Sequence, residues 1–226
     1  MKDLITIGLP SKGRLKDKAI SFFDNSGLKI LQSEKERNYF GSIENKSNIK
    51  VIFLHAKEII QRLGDGTLDV GISGLDLLSE SDNNLRDKIA IKRKLDFGNA
   101  NLVVAVPDDW IDVQTIADLE EVSFDLRFKR NSRLRVATKY PNLTNNFLIS
   151  KGVTQYKLIP SLGATETYPF IGSSEIITDI TSTGKTLADN NLRVLKDGLI
   201  LSSRACLFIA KKKAAKLQPF LKSLGR

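Results

Sequence analysis

The stretch EIITDITSTGKT, residues 175–186, decides how the chain is read. Ile176 and Ile177 end a buried strand, and Asp179 follows at its carboxyl end. Gly184 permits a tight turn, after which Lys185 and Leu187 open a helix whose N-terminus favours an anion. Thr181, Ser182, Thr183 and Thr186 bring hydroxyls to the same loop. Gly184-Lys185-Thr186 matches the end of the phosphate-loop pattern G-x-x-x-x-G-K-[ST], yet Asp179 stands where the first glycine belongs. A carboxylate beside a phosphate cradle makes sense when the ligand also carries sugar hydroxyls. The acid accepts their hydrogen bonds while hydroxyls and amides hold the 5-phosphate. Such a ligand is a phosphoribose. Taken alone, the loop also fits an ordinary strand–turn–helix with capping hydroxyls, or a degenerate nucleotide loop.

Outward from this loop, short apolar strands alternate with helical patterns. LITIGL (4–9), IKVIFL (49–54), LDVGISG (68–74), ANLVVAVP (100–107), LRVAT (134–138), YKLIP (156–160) and LILSSRACLFIA (199–210) read as strands. RLKDKAISFFDNSG (14–27) places Leu15, Ala19, Phe22 and Phe23 on one helical face. A second helix, AKEIIQRLGDG (56–66), stops at its glycines, and Pro141 sits near the start of a third. The alternation predicts an α/β fold with mainly parallel sheets. TIGLPSKGRL and RVATKYPNL are similar in style and suggest two lobes, with ligand loops at the carboxyl ends of their strands. The expected division is a discontinuous first lobe, 1–97 plus 200–226, and a second lobe, 98–199, carrying the phosphoribose loop.

Composition narrows the classes. The 226 residues are 41% hydrophobic, enough for a core, and no apolar run reaches membrane-spanning length. The N-terminus lacks a signal-peptide pattern and Cys206 is the only cysteine, so the expectation is a cytoplasmic protein without a disulfide. The net charge of +9 suits anionic partners. With 7% aromatics and no recognised nucleic-acid motif, small phosphates are favoured over nucleic acid. The basic C-terminal run, AKKKAAKLQPFLKSLGR, reads as a solvated helix face.

Other stretches carry weaker signals. PSKGRL sets Lys12, Gly13 and Arg14 just after the first strand, where a planar guanidinium and a point charge suit a polyphosphate or form a solvated basic turn. DVGISG gathers Asp69, Ser73 and Gly74 near a strand end; its glycines allow close approach of a base or phosphate, or tight strand–helix packing, and Asp69 could be structural. Thr138, Lys139 and Glu166 are loop candidates that could equally be caps or surface groups. His55 and Cys206 show no metal-ligand spacing; the first suits a cap and the second the core. Trp110 suits a packing anchor.

In order along the chain, GLPSKGRL (8–15), DVGISGLDLL (69–78), LRVATKYPNL (134–143) and EIITDITSTGKTLADNNL (175–192) resemble the catalytic subunit of the ATP phosphoribosyltransferase family. One departure is that Ile180 follows Asp179, where many phosphoribosyltransferases in the wider group carry a second acid. The resemblance implies the first reaction of histidine biosynthesis. The phosphoribosyl group of 5-phosphoribosyl 1-pyrophosphate (PRPP) would pass to N1 of ATP, with pyrophosphate leaving. It implies two lobes like those of periplasmic binding proteins, with the active site in the cleft between them. At 226 residues the chain resembles the family's short form, which works with a separate subunit related to histidyl-tRNA synthetase. The expected assembly is a homo-oligomeric core within a hetero-oligomer.

By resemblance, PRPP falls to Asp179, Thr181, Ser182, Thr183, Gly184, Lys185 and Thr186, and ATP to Lys12, Gly13, Arg14, Ser73 and Gly74. Arg14 would face ATP and the departing pyrophosphate. Arg37, in an R-x-Y-x-G-like segment, would neutralise the triphosphate. Glu166 could reach sugar hydroxyls, or metal through water. Mg2+ is the expected cofactor, held mainly by substrate oxygens and water rather than by a dedicated protein site. A non-catalytic small-anion binding protein of the same fold is the main alternative, and a P-loop hydrolase is a weaker one because of Asp179.

Overall fold

The computed structural model describes residues 4–32 and 39–224. Along the chain run β1 (Ile5–Pro10), α1 (Gly13–Asn25), β2 (Ile30–Gln32), β3 (Phe40–Ile43), β4 (Lys46–Leu54), α2 (Ala56–Asp65), β5 (Val70–Gly74), α3 (Leu75–Glu80), α4 (Asn83–Asp87) and β6 (Ile89–Lys94). Next come β7 (Ala100–Pro107), α5 (Ile116–Arg130), β8 (Leu134–Thr138), α6 (Pro141–Ser150), β9 (Tyr156–Pro160), β10 (Ile176–Thr181), α7 (Lys185–Asp189) and β11 (Leu192–Ser203). The chain then closes with β12 (Ala205–Ala210) and α8 (Ala214–Ser223). Among the described residues, no helix is long and apolar enough to cross a membrane.

Two compact units emerge, 1–98 with 204–226 and 99–203. The expected second boundary, 199/200, lies too early. The apolar stretch 199–210 is two strands, broken at Arg204. Leu201, Ser202 and Ser203 still pair with β7 in the second unit, whereas Ala205 already pairs with Gly74 of β5 in the first. Hydrophobicity alone does not reveal this break, because both halves are strands.

The first unit holds a seven-stranded sheet in the order β2-β3-β4-β1-β5-β12-β6. β1 lies parallel between β4 and β5, with Ile7 opposite Val51 on one side and Val70 on the other. Its near-continuous apolar run is what a strand buried on both faces requires. The second unit holds a five-stranded sheet, β11-β7-β10-β8-β9, in which β8 runs parallel to β10 and to β9. The sheets are therefore mixed rather than mainly parallel. Parallel ladders form the centre of the first sheet (β4-β1-β5) and one end of the second (β10-β8-β9), and the remaining pairings (β2–β3–β4, β12 with β5 and β6, β7 with β10 and β11) run antiparallel beside them.

Each unit has its own apolar core. Ile7, Leu9, Phe23, Val51 and Phe53 belong to the first, and Val104, Val106, Leu119, Val136 and Leu148 to the second. One polar device is embedded in the second. Thr138 ends β8, Thr178 lies opposite it in β10, and Thr144 stands on α6. All three side chains are buried and their hydroxyls close a ring: Thr178 donates to Thr138 at 2.6 Å, and Thr144 lies 2.7 Å from Thr178 and 3.1 Å from Thr138. The Tyr140 N–H also donates to the Thr138 hydroxyl, at 2.9 Å. Buried hydroxyls cost free energy unless paired, so this ring fixes where the β8–α6 and β10–α7 loops leave the sheet.

Thr178→Val keeps the side-chain shape but leaves its two neighbours short of a partner. The unfolding free energy should fall by about 1–2 kcal/mol, with a smaller loss for Thr178→Ser. Urea denaturation of the three proteins checks this.

Candidate functional site

The loop between β10 and α7 has the predicted strand–turn–helix form. Gly184 adopts φ of 75°, a left-handed conformation that favours glycine. A Cβ placed there would meet nothing within 4 Å, so backbone geometry rather than crowding requires the glycine, and the space above it is open. The Thr181 hydroxyl accepts the Gly184 N–H at 2.8 Å, and the Thr183 hydroxyl accepts the Lys185 N–H at 3.4 Å. Ser182, Thr183, Lys185 and Thr186 are exposed. Among the described residues, the N–H groups of Ser182 and Thr183 have no hydrogen-bond partner. The loop thus presents free amides and hydroxyls beside an ammonium, which is the donor set a phosphate needs. Because α7 is little more than one turn, these local donors matter more than a helix dipole.

Asp179 sits just before this loop with its side chain only 13% exposed. Burial pushes its carboxyl pKa above the ordinary aspartate value. The Ile180 N–H, donating to Oδ1 at 2.8 Å, acts the other way, as does the Lys139 ammonium 3.9 Å from Oδ2. The neighbouring Glu166 adds to the upward push, and a hydrogen bond from the Thr165 side chain opposes it. The structure therefore brings together three residues that the sequence leaves scattered: Asp179, Lys139 and Glu166. In space, Glu166 supplies the second acid that is missing next to Asp179 in the chain. Thr138 is different: its buried hydroxyl is spent in the threonine ring, so it positions the loop and does not face a ligand. Thr144, Thr165 and Thr178 went unnoticed in the sequence. The available signal was a threonine at matching register in two adjacent strands.

In the first unit, the β1–α1 turn repeats the theme. Gly13 has φ of 74° with open space where a Cβ would stand. Lys12 and Arg14 are exposed, and neither makes an ion pair among the described residues. No side chain caps α1, and its first turn contains Arg14 but no acid. Cations at a helix N-terminus are unfavourable unless an anion joins them, so this turn could accept an anionic ligand.

Two expectations in this unit change. The Ser73 hydroxyl is fully buried and donates to the Ala56 carbonyl at 2.8 Å; it joins β5 to α2 and offers nothing to ATP. A Cβ at Gly74 would lie 2.2 Å from the Asp76 carboxylate oxygen, so the glycine leaves room for that side chain. Asp69 is structural: it is 2% exposed, accepts the Thr6 N–H at 2.7 Å and ion-pairs with Lys213 at 2.7 Å. Arg37 lies outside the described residues. His55 caps α2, with Nδ1 accepting the Lys57 N–H at 3.3 Å, and Cys206 is buried in the core.

Comparisons with known proteins bear on the family of the chain. The family model for HisG, ATP phosphoribosyltransferase, matches residues 55–225. The ATP phosphoribosyltransferase of Brucella melitensis biotype 2 (strain ATCC 23457) is 46% identical over 209 residues, covering 92% of this chain and 90% of that protein. That of Rhizobium etli (strain CIAT 652) is 45% identical over 221 residues, covering 97% and 96%. Among solved structures, the ATP phosphoribosyl transferase (HisG:HisZ) complex from Thermotoga maritima matches with a TM-score of 0.74 and 25% identity, over 98% of this chain and 97% of the matched chain. A substrate-binding protein of an amino-acid ABC transporter matches with a TM-score of 0.56 and 12% identity, over 98% and 92%, a likeness of fold. By sequence and by fold, the chain belongs to the ATP phosphoribosyltransferase family.

Proposed function

We propose that the chain joins PRPP to ATP, giving N1-(5-phosphoribosyl)-ATP and pyrophosphate, as the first step of histidine biosynthesis in the cytoplasm. The observation that carries this reading is the pairing of a shielded acid, Asp179, with the open donor loop Ser182–Thr186. The carboxylate would accept hydrogen bonds from the ribose hydroxyls, helped by Glu166, while loop amides, hydroxyls and Lys185 hold the 5-phosphate. Burial pushes the Asp179 pKa up, and Lys139, 3.9 Å away, opposes that push and favours the ionised acid. Lys12 and Arg14 at the uncapped start of α1 would meet the phosphates of ATP or the departing pyrophosphate. Arg37 takes its proposed role, charge neutralisation at the triphosphate, from the sequence resemblance alone.

The chemistry asks little else of the protein. Adenine N1 already carries a lone pair. It forms a bond to the anomeric carbon as the carbon–oxygen bond to pyrophosphate breaks and its electrons leave with the pyrophosphate. No strong base is needed; rate comes from positioning and from cations placed where charge gathers. Among the described residues, no group of three or more His, Cys, Asp or Glu could hold a metal ion. Mg2+ would come in on PRPP oxygens and water, and Glu166 could reach it through water. When bound, Mg2+ neutralises pyrophosphate charge. By analogy with the HisG:HisZ complex of Thermotoga maritima, the proposed partner is a regulatory subunit related to histidyl-tRNA synthetase, around a homo-oligomeric catalytic core.

Mass spectrometry of purified protein with ATP, PRPP, Mg2+ and pyrophosphatase, with and without the regulatory subunit, should reveal a PRPP-dependent phosphoribosyl-ATP peak. Absence of that product in both mixtures, with the protein folded, would sink the proposal.

A second prediction concerns Asp179 itself. Its folded pKa is raised, so its contribution to stability is fully present below the unfolded aspartate value, near 3.9. That contribution is lost as pH rises through the folded pKa, where the buried acid must ionise. Asp179→Asn should therefore raise the urea midpoint at pH 7 relative to wild type, and the gap should close toward pH 3.5. The same substitution should weaken PRPP binding roughly 10- to 100-fold, the scale of losing hydrogen bonds to a charged group. Calorimetric titration checks the affinity. Unchanged binding would count against the assignment of this loop.

A further inference from the structure

Asp179 has a buried neighbour that the proposed reaction has not yet used. Thr165 opens a short 3-10 turn, Thr165–Thr167, which packs against β10, and its side chain is fully buried. Glu166, the next residue, is half-buried. The turn thus sends a hydroxyl inward immediately before a candidate site acid.

A buried hydroxyl needs partners, and here they impose a direction. Ser161 Oγ, itself buried, lies 2.9 Å from Thr165 Oγ1 and 3.3 Å from the Gly163 carbonyl oxygen. The shorter contact is the better hydrogen bond, so the Ser161 O–H goes to Thr165. Thr165 Oγ1 then accepts from Ser161, and its single proton is left for another acceptor. The Asp179 carboxylate is that acceptor, and the bond favours its charged form. The donors form a one-way chain, Ser161 to Thr165 to Asp179.

The loop around the chain is held at both ends. The Ser161 N–H donates to the Thr138 carbonyl at 2.9 Å, which ties the loop to a member of the threonine ring. At the other end Ala164 is left-handed, with φ of 43° and ψ of 48°, a conformation disfavoured for a residue with a side chain. Its carbonyl accepts both the N–H and the hydroxyl of Thr167, at 3.0 and 2.8 Å. Backbone strain persists where the surroundings over-determine it, and this strained residue immediately precedes Thr165. Packing alone would be served as well by valine at 165, which has the same shape and no hydroxyl.

We infer that Thr165 is a positioning residue: oriented by Ser161, its hydroxyl aims the Asp179 carboxylate so that the remaining lone pairs face the ribose hydroxyls of PRPP. The inference rests on the phosphoribose role proposed for Asp179 and adds what holds that acid in place.

A double-mutant cycle, read by calorimetric titration of the full chain with PRPP and Mg2+, tests it. Thr165→Val should weaken PRPP binding about 5- to 10-fold, the scale of one net hydrogen bond. Thr165→Ser, which keeps the hydroxyl, should restore most of the affinity. In an Asp179→Ala background no carboxylate is left to aim, so Thr165→Val should cost no more than about 2-fold. Thermal unfolding confirms that each variant is folded, and if Thr165→Val is not, the same cycle with Ser161→Ala carries the test. Asp179→Ala that weakens PRPP binding, with Thr165→Val harmless or equally costly in both backgrounds, would overturn this inference alone. Asp179→Ala with unchanged PRPP binding would overturn the phosphoribose reading and this inference with it.

Discussion

Three buried threonine hydroxyls tie together β8, α6 and β10, the elements beside the Asp179–Thr186 loop. Thr138 ends β8, Thr178 stands in register with it within the adjacent parallel strand β10, and Thr144 closes the ring from α6. The next residue along the chain is a candidate site residue in each case, Lys139 after Thr138 and Asp179 after Thr178. The ring thus turns a sheet register into a fixed ammonium–carboxylate pair of 3.9 Å. An apolar substitute for the ring would pack, but it would lose the directional bonds that set where the two loops leave the sheet.

Around that fixed point the molecule accepts local costs. Asp179 is held where burial disfavours its charge, and Lys12 and Arg14 stand at an uncapped helix start. Each is unfavourable in the unliganded chain, and under the proposed function each would gain from its ligand, sugar hydroxyls for the acid and phosphates for the cations. Stored disadvantages of this kind gather at binding sites because the surrounding fold is stable enough to hold them.

Much of this was legible in the sequence, for physical reasons. β1, β4, β5, β7, β8 and β10 are apolar runs ended by glycine, proline or polar loops, and the glycine in Asp179-to-Thr186 revealed the turn from β10 into α7. Other parts were hidden. β2 and β3 are three and four residues long, too short for a pattern to emerge. β6 is an edge strand, its last four residues exposed, so it lacks an apolar run. α5 has apolar residues on both its core face and its outer face, which blurs the helical period. Ser73 looked like a ligand donor because a hydroxyl beside glycine at a strand end reads the same whether it points to solvent or to a neighbouring carbonyl. The break at Arg204 was masked because strands lie on both sides of it.

The most direct test of the central claim is a crystal structure of the full chain with PRPP and Mg2+. The account predicts the 5-phosphate within hydrogen-bond distance of the Ser182–Thr186 amides and hydroxyls, and the ribose hydroxyls on the Asp179 carboxylate. PRPP bound away from this loop, or bound with its ribose hydroxyls turned from Asp179, would contradict it.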